Sequence, residues 1–314
     1  MKDSILDTVG TPLVRIRSPP GSIIAAKLES FNPGGSAKDR PAISMIRAAE
    51  AAGVLDADSH IVEPTSGNTG IGIALACAAL GYDLTIVMPA SKSKERRQLM
   101  KAYGASLELV EGEMTDARDR ADQLTEQDGY VQLGQFENEA NPDAHYRTTA
   151  AEILEDIGDR TVDAFVAAVG TGGTITGTAS RLREEFPEME VIAVEPEKNA
   201  VLSTGKPGRD DYQGMGPGFV SDLLDVDLLD DVVTVPLEDA EVECRRLARE
   251  EGILVGQSSG AAAIAARQVA TRLATPETDC EAATDGGTPD ADCPLVITVF
   301  PDSGERYLST GLFD

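Results

Sequence analysis

One lysine in this sequence is placed where it could act as a nucleophile. Lys38 follows a turn made by Pro33 and two glycines, and it precedes residues 41–52, whose apolar side chains have helical spacing. We predict that Lys38 lies in the first turn of a helix, with Ser36 as the N-cap. Partial burial and the positive end of the helix would both lower the lysine pKa. The neutral amine could then attack a carbonyl carbon, whereas an ordinary surface lysine would stay protonated.

Two turns rich in glycine and hydroxyl groups follow short apolar strands and precede helices. The first covers residues 65–70 and comes before a helix predicted at residues 71–80. The second covers residues 170–174 and comes before a helix predicted at about residues 175–185. Backbone N–H groups at the start of a helix bind anions. The first turn therefore offers donors to an anion, and the second is typical of a phosphate site.

Short apolar strands alternate with amphipathic helices along most of the chain. The predicted strands cover residues 23–28, 61–63, 84–87, 107–110, 164–169, 191–194, 232–235 and 296–300. This alternation predicts an α/β fold with mostly parallel sheets covered by helices on both faces. A helix predicted at residues 140–157 would cross between two domains. The smaller domain would cover about residues 35–145, and the larger would combine residues 1–34 with 146–314.

The composition restricts the setting and the partners of the protein. Its 314 residues, 41% of them hydrophobic, are enough to form a core. It has 54 acidic and 27 basic residues, which give a formal net charge of −27. Nucleic acid is not an expected partner, because phosphate backbones require basic patches. We interpret the acidic excess as adaptation to a salty, halophilic cytoplasm, with an acidic protein of ordinary salinity as the alternative.

The spacing of the four cysteines does not indicate a zinc site. Cys77 and Cys244 fall in predicted helices and are expected to pack in the core. Cys280 and Cys293 flank an acidic stretch, for which we expect a mobile surface loop; the pair could close a disulfide, but in a cytosolic protein we expect two free thiols. The first residues lack an apolar signal core, and no apolar run is long enough to span a bilayer. We therefore expect a cytoplasmic protein that does not enter a membrane.

The order of these motifs resembles that of the cysteine synthases, or O-acetylserine sulfhydrylases. These are pyridoxal-phosphate (PLP) enzymes of fold type II, the tryptophan synthase β-like group. The resemblance spans nearly the whole chain and is carried by residues 10–13, 32–40, 66–70, 88–89, 95–97, 135–138, 170–174, 213–214, 218–219, 256–260 and 301–307. It implies a cofactor in the cleft between the two domains, a homodimer, and binding of the C-terminal tail of serine acetyltransferase.

The resemblance also implies roles for individual residues. Lys38 would bind the cofactor covalently and then remove the substrate α-proton. Asn68 would hydrogen-bond the cofactor 3′-oxygen. Ser258 would face the pyridine nitrogen, with Ser259 as the alternative choice and a helix N-cap as the alternative role of Ser258. The phosphate site would consist of Gly170, Thr171, Gly172, Gly173 and Thr174, and the substrate site of Thr65, Ser66, Gly67, Thr69, Gln135 and Gly214.

The implied reaction is a β-replacement in two stages. O-acetylserine loses its α-proton and its acetate to leave an α-aminoacrylate, and sulfide then adds to give L-cysteine. Lys92 stands where the family usually has methionine, in a loop over the site, which makes O-phosphoserine an alternative substrate. A second alternative is cystathionine β-synthase, which joins serine to homocysteine in a site of the same kind.

Two alternatives come from other functional classes. A nicotinamide dehydrogenase would explain a glycine turn after a strand, with Glu195 ending the next strand, but its fingerprint requires glycine where Ile175 stands. A non-catalytic binding or regulatory relative would not need Lys38, Asn68 and Ser258 at all three cofactor contacts. The sequence therefore favours an enzyme.

Overall fold

Ten β-strands form the framework of the structure, a computed structural model that describes residues 1–275, 278, 280 and 293–314. They are β1 (Leu13–Ile16), β2 (Ile23–Leu28), β3 (His60–Pro64), β4 (Asp83–Pro89), β5 (Ser106–Val110), β6 (Tyr130–Gln132), β7 (Ala164–Ala168), β8 (Glu190–Pro196), β9 (Asp231–Val235) and β10 (Leu295–Phe300). The eight predicted strands are confirmed, with ends that differ by at most two residues. The sequence prediction missed β1 and β6, which are only four and three residues long.

The strands form two separate sheets. The larger has the order β1-β2-β10-β7-β8-β9, and the smaller has the order β5-β4-β3-β6. Every neighbouring pair is parallel except β1 with β2. All six residues of β2 and of β10 are buried, as expected for parallel strands covered by helices on both faces. The predicted α/β fold is confirmed, whereas the limits of the two domains stay a prediction.

Helices connect and cover the strands. They are α1 (Asp39–Ala51), α2 (Asn68–Leu80), α3 (Lys94–Ala102), α4 (Met114–Thr125), α5 (Ala140–Ala144), α6 (Ala150–Ile157), α7 (Gly173–Glu185), α8 (Val201–Thr204), α9 (Leu237–Arg246) and α10 (Gln257–Leu273). One turn of π-helix, His145–Thr149, joins α5 to α6, so the helix predicted at residues 140–157 is present but locally widened. Among the described residues, no helix has both the length and the apolar character that crossing a bilayer requires.

Helix α2 is buried along most of its length. Its nine residues from Thr69 to Cys77 are all buried, and apolar side chains surround the helix on every side. A helix of this kind is held by packing on all its faces rather than by a single amphipathic stripe. The rigid position of α2 matters because its N-terminal end carries one of the two predicted anion-binding turns.

The prediction for Cys280 and Cys293 was wrong. The two residues form a disulfide, with their Cα atoms 5.7 Å apart, and both are buried in the core cluster that also contains Phe165 and Ile297. Our expectation of free thiols rested on the cellular compartment and did not consider that the chain returns to the same core between α10 and β10. The mobile loop expected between the cysteines, residues 281–292, lies outside the described residues. Cys77 and Cys244 are buried and free, as predicted.

Candidate active site

Lys38 lies directly before α1 and against α2. The helix begins at Asp39, so Lys38 is its N-cap residue, one position before the turn in which we predicted it. Ser36 accepts hydrogen bonds from the backbone N–H groups of Lys38 and Asp39, each at 3.3 Å, through its hydroxyl and its carbonyl. The prediction of Ser36 as the N-cap was therefore wrong, because Ser36 caps the turn before the helix. A side chain at Gly72 of α2 would come within 2.7 Å of the Lys38 carbonyl oxygen, so this close packing requires glycine.

The amine of Lys38 has a lowered pKa. Burial is the largest cause, because it disfavours the ammonium form, while the carboxylates of Asp302 and Glu29 act in the opposite direction. The direction is the one that we predicted. A lower pKa increases the share of neutral amine near pH 7, and this is the form that attacks an aldehyde.

Lys38 lines a cleft of about 660 Å³. The loop after β3 of the smaller sheet and the loop after β7 of the larger sheet meet there with the N-terminal ends of α2, α7 and α10, so the carboxyl ends of strands from both sheets border the cleft. The predicted residues that line the cleft are Lys38, Thr65, Ser66, Gly67, Asn68, Thr69, Gln135, Gly170, Thr171, Gly214 and Ser258. A narrow recess shares five of these residues and adds Gly172 and Thr174. Of the predicted residues, Gly173 and Ser259 line neither space, although each is adjacent in the chain to a residue that does.

The recess offers the hydrogen-bond donors that a phosphate group needs. Helix α7 begins at Gly173, and the first N–H groups of a helix have no acceptor within it. The hydroxyl-bearing residues Thr171 and Thr174 line the same space, as does Lys38. A phosphate dianion presents only acceptor oxygens, so this donor set suits it. The residues therefore fit PLP, with donors for its phosphate and an amine for its aldehyde in one recess.

The predicted substrate residues are joined by hydrogen bonds on the opposite side of the cleft. The Thr69 hydroxyl donates to the Gln135 side-chain oxygen at 2.6 Å. The backbone N–H groups of Gly134 and Gln135 donate to the buried carboxylate of Glu63 at 3.1 and 3.3 Å. Our sequence analysis assigned no role to Glu63, although it ends the strand predicted at residues 61–63, before the first glycine turn. Glu63 anchors the loop that carries Gln135 beside Thr69.

A second missed group holds the side chain of Asn68. The amide nitrogen of Asn68 donates to Asp302 at 2.7 Å, and Arg306 donates to the amide oxygen. The Tyr307 hydroxyl also donates to Asp302, at 3.0 Å. These residues belong to the segment 301–307, which contributed to the family resemblance but received no role there. The segment supplies the partners that orient Asn68.

The two adjacent serines at the start of α10 have different surroundings in the structure. The helix begins at Gln257 with Gly256 as its N-cap, so Ser258 does not have the alternative capping role. Ser258 lines both the cleft and the recess. Ser259 is fully buried, and its hydroxyl has no hydrogen-bond partner among the described residues. The geometry thus favours Ser258 as the serine that faces the site.

Besides Lys38 and Arg306, the cationic side chains of Lys92, Arg96 and Arg118 line the cleft. Within the described part of the chain, none of them forms an ion pair with a carboxylate. The Arg118 guanidinium lies 5.3 Å from the ring centre of Phe136 and 5.5 Å from that of Phe219.

Comparison with known proteins gives matches over nearly the whole chain. Residues 6–279 match the family model described as pyridoxal-phosphate dependent enzyme. A cysteine synthase of Staphylococcus aureus is 45% identical over 99% of this chain and 97% of its own length. The crystal structure of a hydrogen sulfide-producing enzyme from Fusobacterium nucleatum is 40% identical, with a TM-score of 0.90 and 98% of each chain covered.

A third similar protein is named for a different amino acid. The crystal structure of an O-ureido-L-serine synthase is 43% identical, with a TM-score of 0.90, and the match covers 100% of this chain and 96% of the other. The relatives thus differ in the reaction for which they are named while they share this fold. The chain belongs to the cysteine synthase family, and it is a PLP-dependent enzyme of β-replacement.

Proposed function

We propose that this enzyme makes L-cysteine from O-acetylserine and sulfide. The observation that carries the proposal is the convergence of Lys38, Asn68, Ser258 and the recess at Gly170–Thr174 on one cleft. The name of the Staphylococcus aureus relative supports the same product. In the overall reaction, the bond from the β-carbon to the acetate oxygen breaks, and a bond from the β-carbon to sulfur forms.

The residues around the recess would hold and tune the cofactor. Bound PLP would supply an electron sink that makes the substrate α-proton acidic. Thr171 and Thr174 would donate to its phosphate, Asn68 to its 3′-oxygen and Ser258 to its ring nitrogen. A neutral hydroxyl would leave that nitrogen unprotonated, whereas a carboxylate in its place would keep it protonated. The unprotonated ring is the weaker electron sink, and this favours β-elimination over transamination.

Other residues that line the cleft would hold the substrate and move its α-proton. Thr65, Ser66, Gly67, Thr69, Gln135 and Gly214 would bind the substrate, with the polar groups of the helix-start loop on its carboxylate. Lys38 would take the α-proton at Nζ and return it to the α-carbon after sulfide has added. The low pKa of Lys38 suits this task, because its amine must be neutral to accept a proton.

We also propose that the smaller domain, residues 35–145, moves against the rest of the chain as substrate enters, since both parts line the cleft. We further propose that the enzyme is a homodimer, that it works in a salty cytoplasm, and that it binds serine acetyltransferase. Light scattering and activity measured over a range of KCl concentrations would test the dimer and the salt requirement. A monomer that is most active without salt would contradict both.

A second candidate donor is O-phosphoserine, and the cations Lys92, Arg96 and Arg118 in the cleft favour it. Its phosphate is an anionic leaving group that such cations would attract. Replacing Lys92 by methionine should then raise KM for O-phosphoserine and leave KM for O-acetylserine unchanged. Lys94→Met is the matched control, because Lys94 is exposed and does not line the cleft. An unchanged KM for O-phosphoserine in Lys92→Met would remove this candidate.

The principal experiment is an absorbance titration of the purified protein in molar KCl. O-acetylserine added alone should change the cofactor spectrum, and sulfide should restore it, because the two stages are separated in a ping-pong reaction. Lys38→Ala should not show this cycle. If O-acetylserine has no effect, the donor is wrong, and O-phosphoserine and serine are tested next. If homocysteine restores the spectrum and sulfide does not, the protein is a cystathionine β-synthase.

A further inference from the structure

The π-helical turn between α5 and α6 places a buried histidine against the phosphate recess. His145 has no exposed surface. Its Nδ1 lies 2.9 Å from the Thr149 hydroxyl oxygen, and its Nε2 lies 3.2 Å from the Thr174 hydroxyl oxygen. Turns of π-helix inside α-helices frequently occur at functional sites. The ring therefore bridges this helix to one of the two threonines of the recess.

The other threonine of the recess has a partner on the same helical segment. Asn141 lies four residues before His145, and its side-chain nitrogen donates to the Thr171 hydroxyl oxygen at 3.1 Å. The same nitrogen donates to the backbone carbonyl of Gln135 at 2.8 Å, and the amide oxygen lies beside Gly173 without a hydrogen-bond partner among the described residues. Each threonine of the recess thus contacts one nitrogen-bearing side chain of the segment.

Tight backbone packing fixes the distance between this segment and α7. A side chain at Gly177 of α7 would come within 2.0 Å of the Pro142 carbonyl oxygen and 2.9 Å of the Tyr146 nitrogen. Only glycine allows the two helices to approach this closely. The contacts of Asn141 and His145 with the recess therefore belong to a rigid helix pair.

His145 is uncharged at neutral pH. Burial is the main cause that lowers its pKa well below the usual value, and the positive charges of Lys38 and Arg40 lower it further. Glu152 acts in the opposite direction, with a smaller effect. A neutral imidazole carries one N–H donor and one acceptor nitrogen, so the ring must donate to one threonine and accept from the other.

The needs of a phosphate decide which nitrogen carries the proton. If Nε2 accepted from Thr174, the threonine proton would point at the ring, and its oxygen would offer only lone pairs to the phosphate. If Nε2 donates, the Thr174 proton is free for a phosphate oxygen, and Thr149 donates to Nδ1. Asn141 likewise leaves the Thr171 proton free for the phosphate, because its NH₂ group donates to the Thr171 hydroxyl oxygen and cannot accept a hydrogen bond from it.

We infer that Asn141 and His145 are positioning residues that donate to the hydroxyl oxygens of Thr171 and Thr174 and so aim both threonine protons at the cofactor phosphate. The inference rests on the proposed function, because it assumes that PLP places its phosphate in the recess. It assigns His145 the tautomer with the proton on Nε2. Neither residue touches the cofactor itself, so both act through the threonines.

The tautomer can be read directly, because the chain has two histidines, His60 and His145. Protein labelled with ¹⁵N-histidine should give two ring patterns in long-range ¹H–¹⁵N spectra of the holoenzyme, and His145→Gln identifies the one that belongs to His145. We expect the Nε2–H pattern for His145 without titration between pH 6 and 9, with the half-buried His60 as internal reference. The Nδ1–H pattern would overturn the inference. The tautomer is read in the unaltered protein, and the variant serves only to assign the signal.

Two isosteric variants test the effect on the cofactor. In His145→Gln the amide nitrogen can replace Nε2 and donate to Thr174, whereas in His145→Asn the amide reaches only the position of Nδ1. We expect His145→Asn to weaken PLP binding to the dialysed apoprotein about tenfold, and His145→Gln to bind within about threefold of the unaltered protein. The ³¹P resonance of bound PLP should shift in the asparagine variant.

Pyridoxal, which lacks the phosphate, separates this role from a merely structural one. Both variants should bind pyridoxal as tightly as the unaltered protein does. Equal losses for PLP and pyridoxal, or equal losses in the two variants, would overturn the inference. In a Thr174→Val background, His145→Asn should cause no further loss of PLP affinity, because its partner is already gone. If the unaltered protein binds PLP and pyridoxal equally, the assumption of a phosphate site fails, independently of His145.

Discussion

The side-chain amide of Asn68 donates a 2.7 Å hydrogen bond to the carboxylate of Asp302, although 234 positions separate them in the chain. Arg306 donates to the oxygen of the same amide, so only one of its two orientations satisfies both neighbours. The second N–H of the amide stays available for a cofactor oxygen. Asp302 therefore lies behind Asn68 and also near Lys38, where its negative charge raises the pKa of the lysine against the effect of burial.

We predict that Asp302→Asn will move the pH dependence of PLP incorporation to lower pH. Asparagine keeps the shape and an acceptor for Asn68 but removes the negative charge, so the pKa of Lys38 should fall further. The measurement is the rate of PLP incorporation into apoprotein, followed by absorbance at a series of pH values. Asp211→Asn is the control, because Asp211 also lines the cleft but does not influence Lys38. An unmoved profile in Asp302→Asn would contradict the prediction.

The two adjacent serines should respond differently to removal of their hydroxyls. Ser258→Ala should lower kcat about tenfold and alter the absorbance of bound PLP, because a hydrogen bond to the ring nitrogen is lost. Ser259→Ala should leave kcat unchanged and should not lower the free energy of unfolding by more than about 1 kcal/mol, because its buried hydroxyl has no partner among the described residues. Steady-state kinetics and urea unfolding measure the two effects. The opposite pattern would assign the site to Ser259.

Glu63 should make the protein less stable as the pH rises towards neutrality. Burial raises the pKa of this carboxyl from 4.5 to about 7, although the backbone N–H groups of Gly134 and Gln135 act to lower it. Between these two pH values the native state holds a proton that the unfolded state has lost, so the free energy of unfolding falls with rising pH. The contribution of this one group over the range is up to about 3 kcal/mol.

Glu63→Gln isolates this contribution, because glutamine does not ionise. The free energy of unfolding of the variant minus that of the unaltered protein should increase between pH 5 and pH 8. Urea unfolding at five or six pH values gives this difference, and exposed Glu197→Gln serves as the matched control. A difference that stays constant with pH would show that Glu63 is ionised throughout the range.

The disulfide between Cys280 and Cys293 should be measurable and stabilising. Titration of the unfolded, unreduced protein should find two thiols, from Cys77 and Cys244, and reduction should increase the number to four. A loop that spans 13 positions contributes about 3 kcal/mol by restricting the unfolded chain, so reduction should lower the free energy of unfolding by about that amount. The double variant Cys280→Ser/Cys293→Ser should not respond to reductant. Four thiols before reduction would contradict the structure.

Short-range patterns were sufficient to predict eight of the ten described strands, Lys38 and the two glycine turns of the cleft, whereas the family resemblance supplied the roles of Gln135, Gly214 and Ser258. The glycine turns at residues 65–70 and 170–174 each stand between a strand and a helix, at the carboxyl-end edge of a parallel sheet where ligands commonly bind, although the two turns belong to different sheets. Apolar periodicity identifies β2 and β10 as buried strands, because each is covered on both faces. The same reasoning failed for β1 and β6, which are too short to show a period, and for the first turn of α1, where the helix boundary differs by one residue from the expected position.

Lys38, the two anion-binding turns and the alternation of strands and helices could be recognised from the chain alone, because each depends on residues that are neighbours in sequence. The partners of these residues could not. Asp302 reaches Asn68, His145 reaches Thr174 and Cys280 reaches Cys293 only through the packing of distant segments. The choice between Ser258 and Ser259 likewise depends on the rotation of α10 against the sheet, which no local pattern specifies. Long-range packing thus decides which hydrogen-bond donors and charged groups surround the reactive residues, whereas the local sequence already indicates those residues themselves.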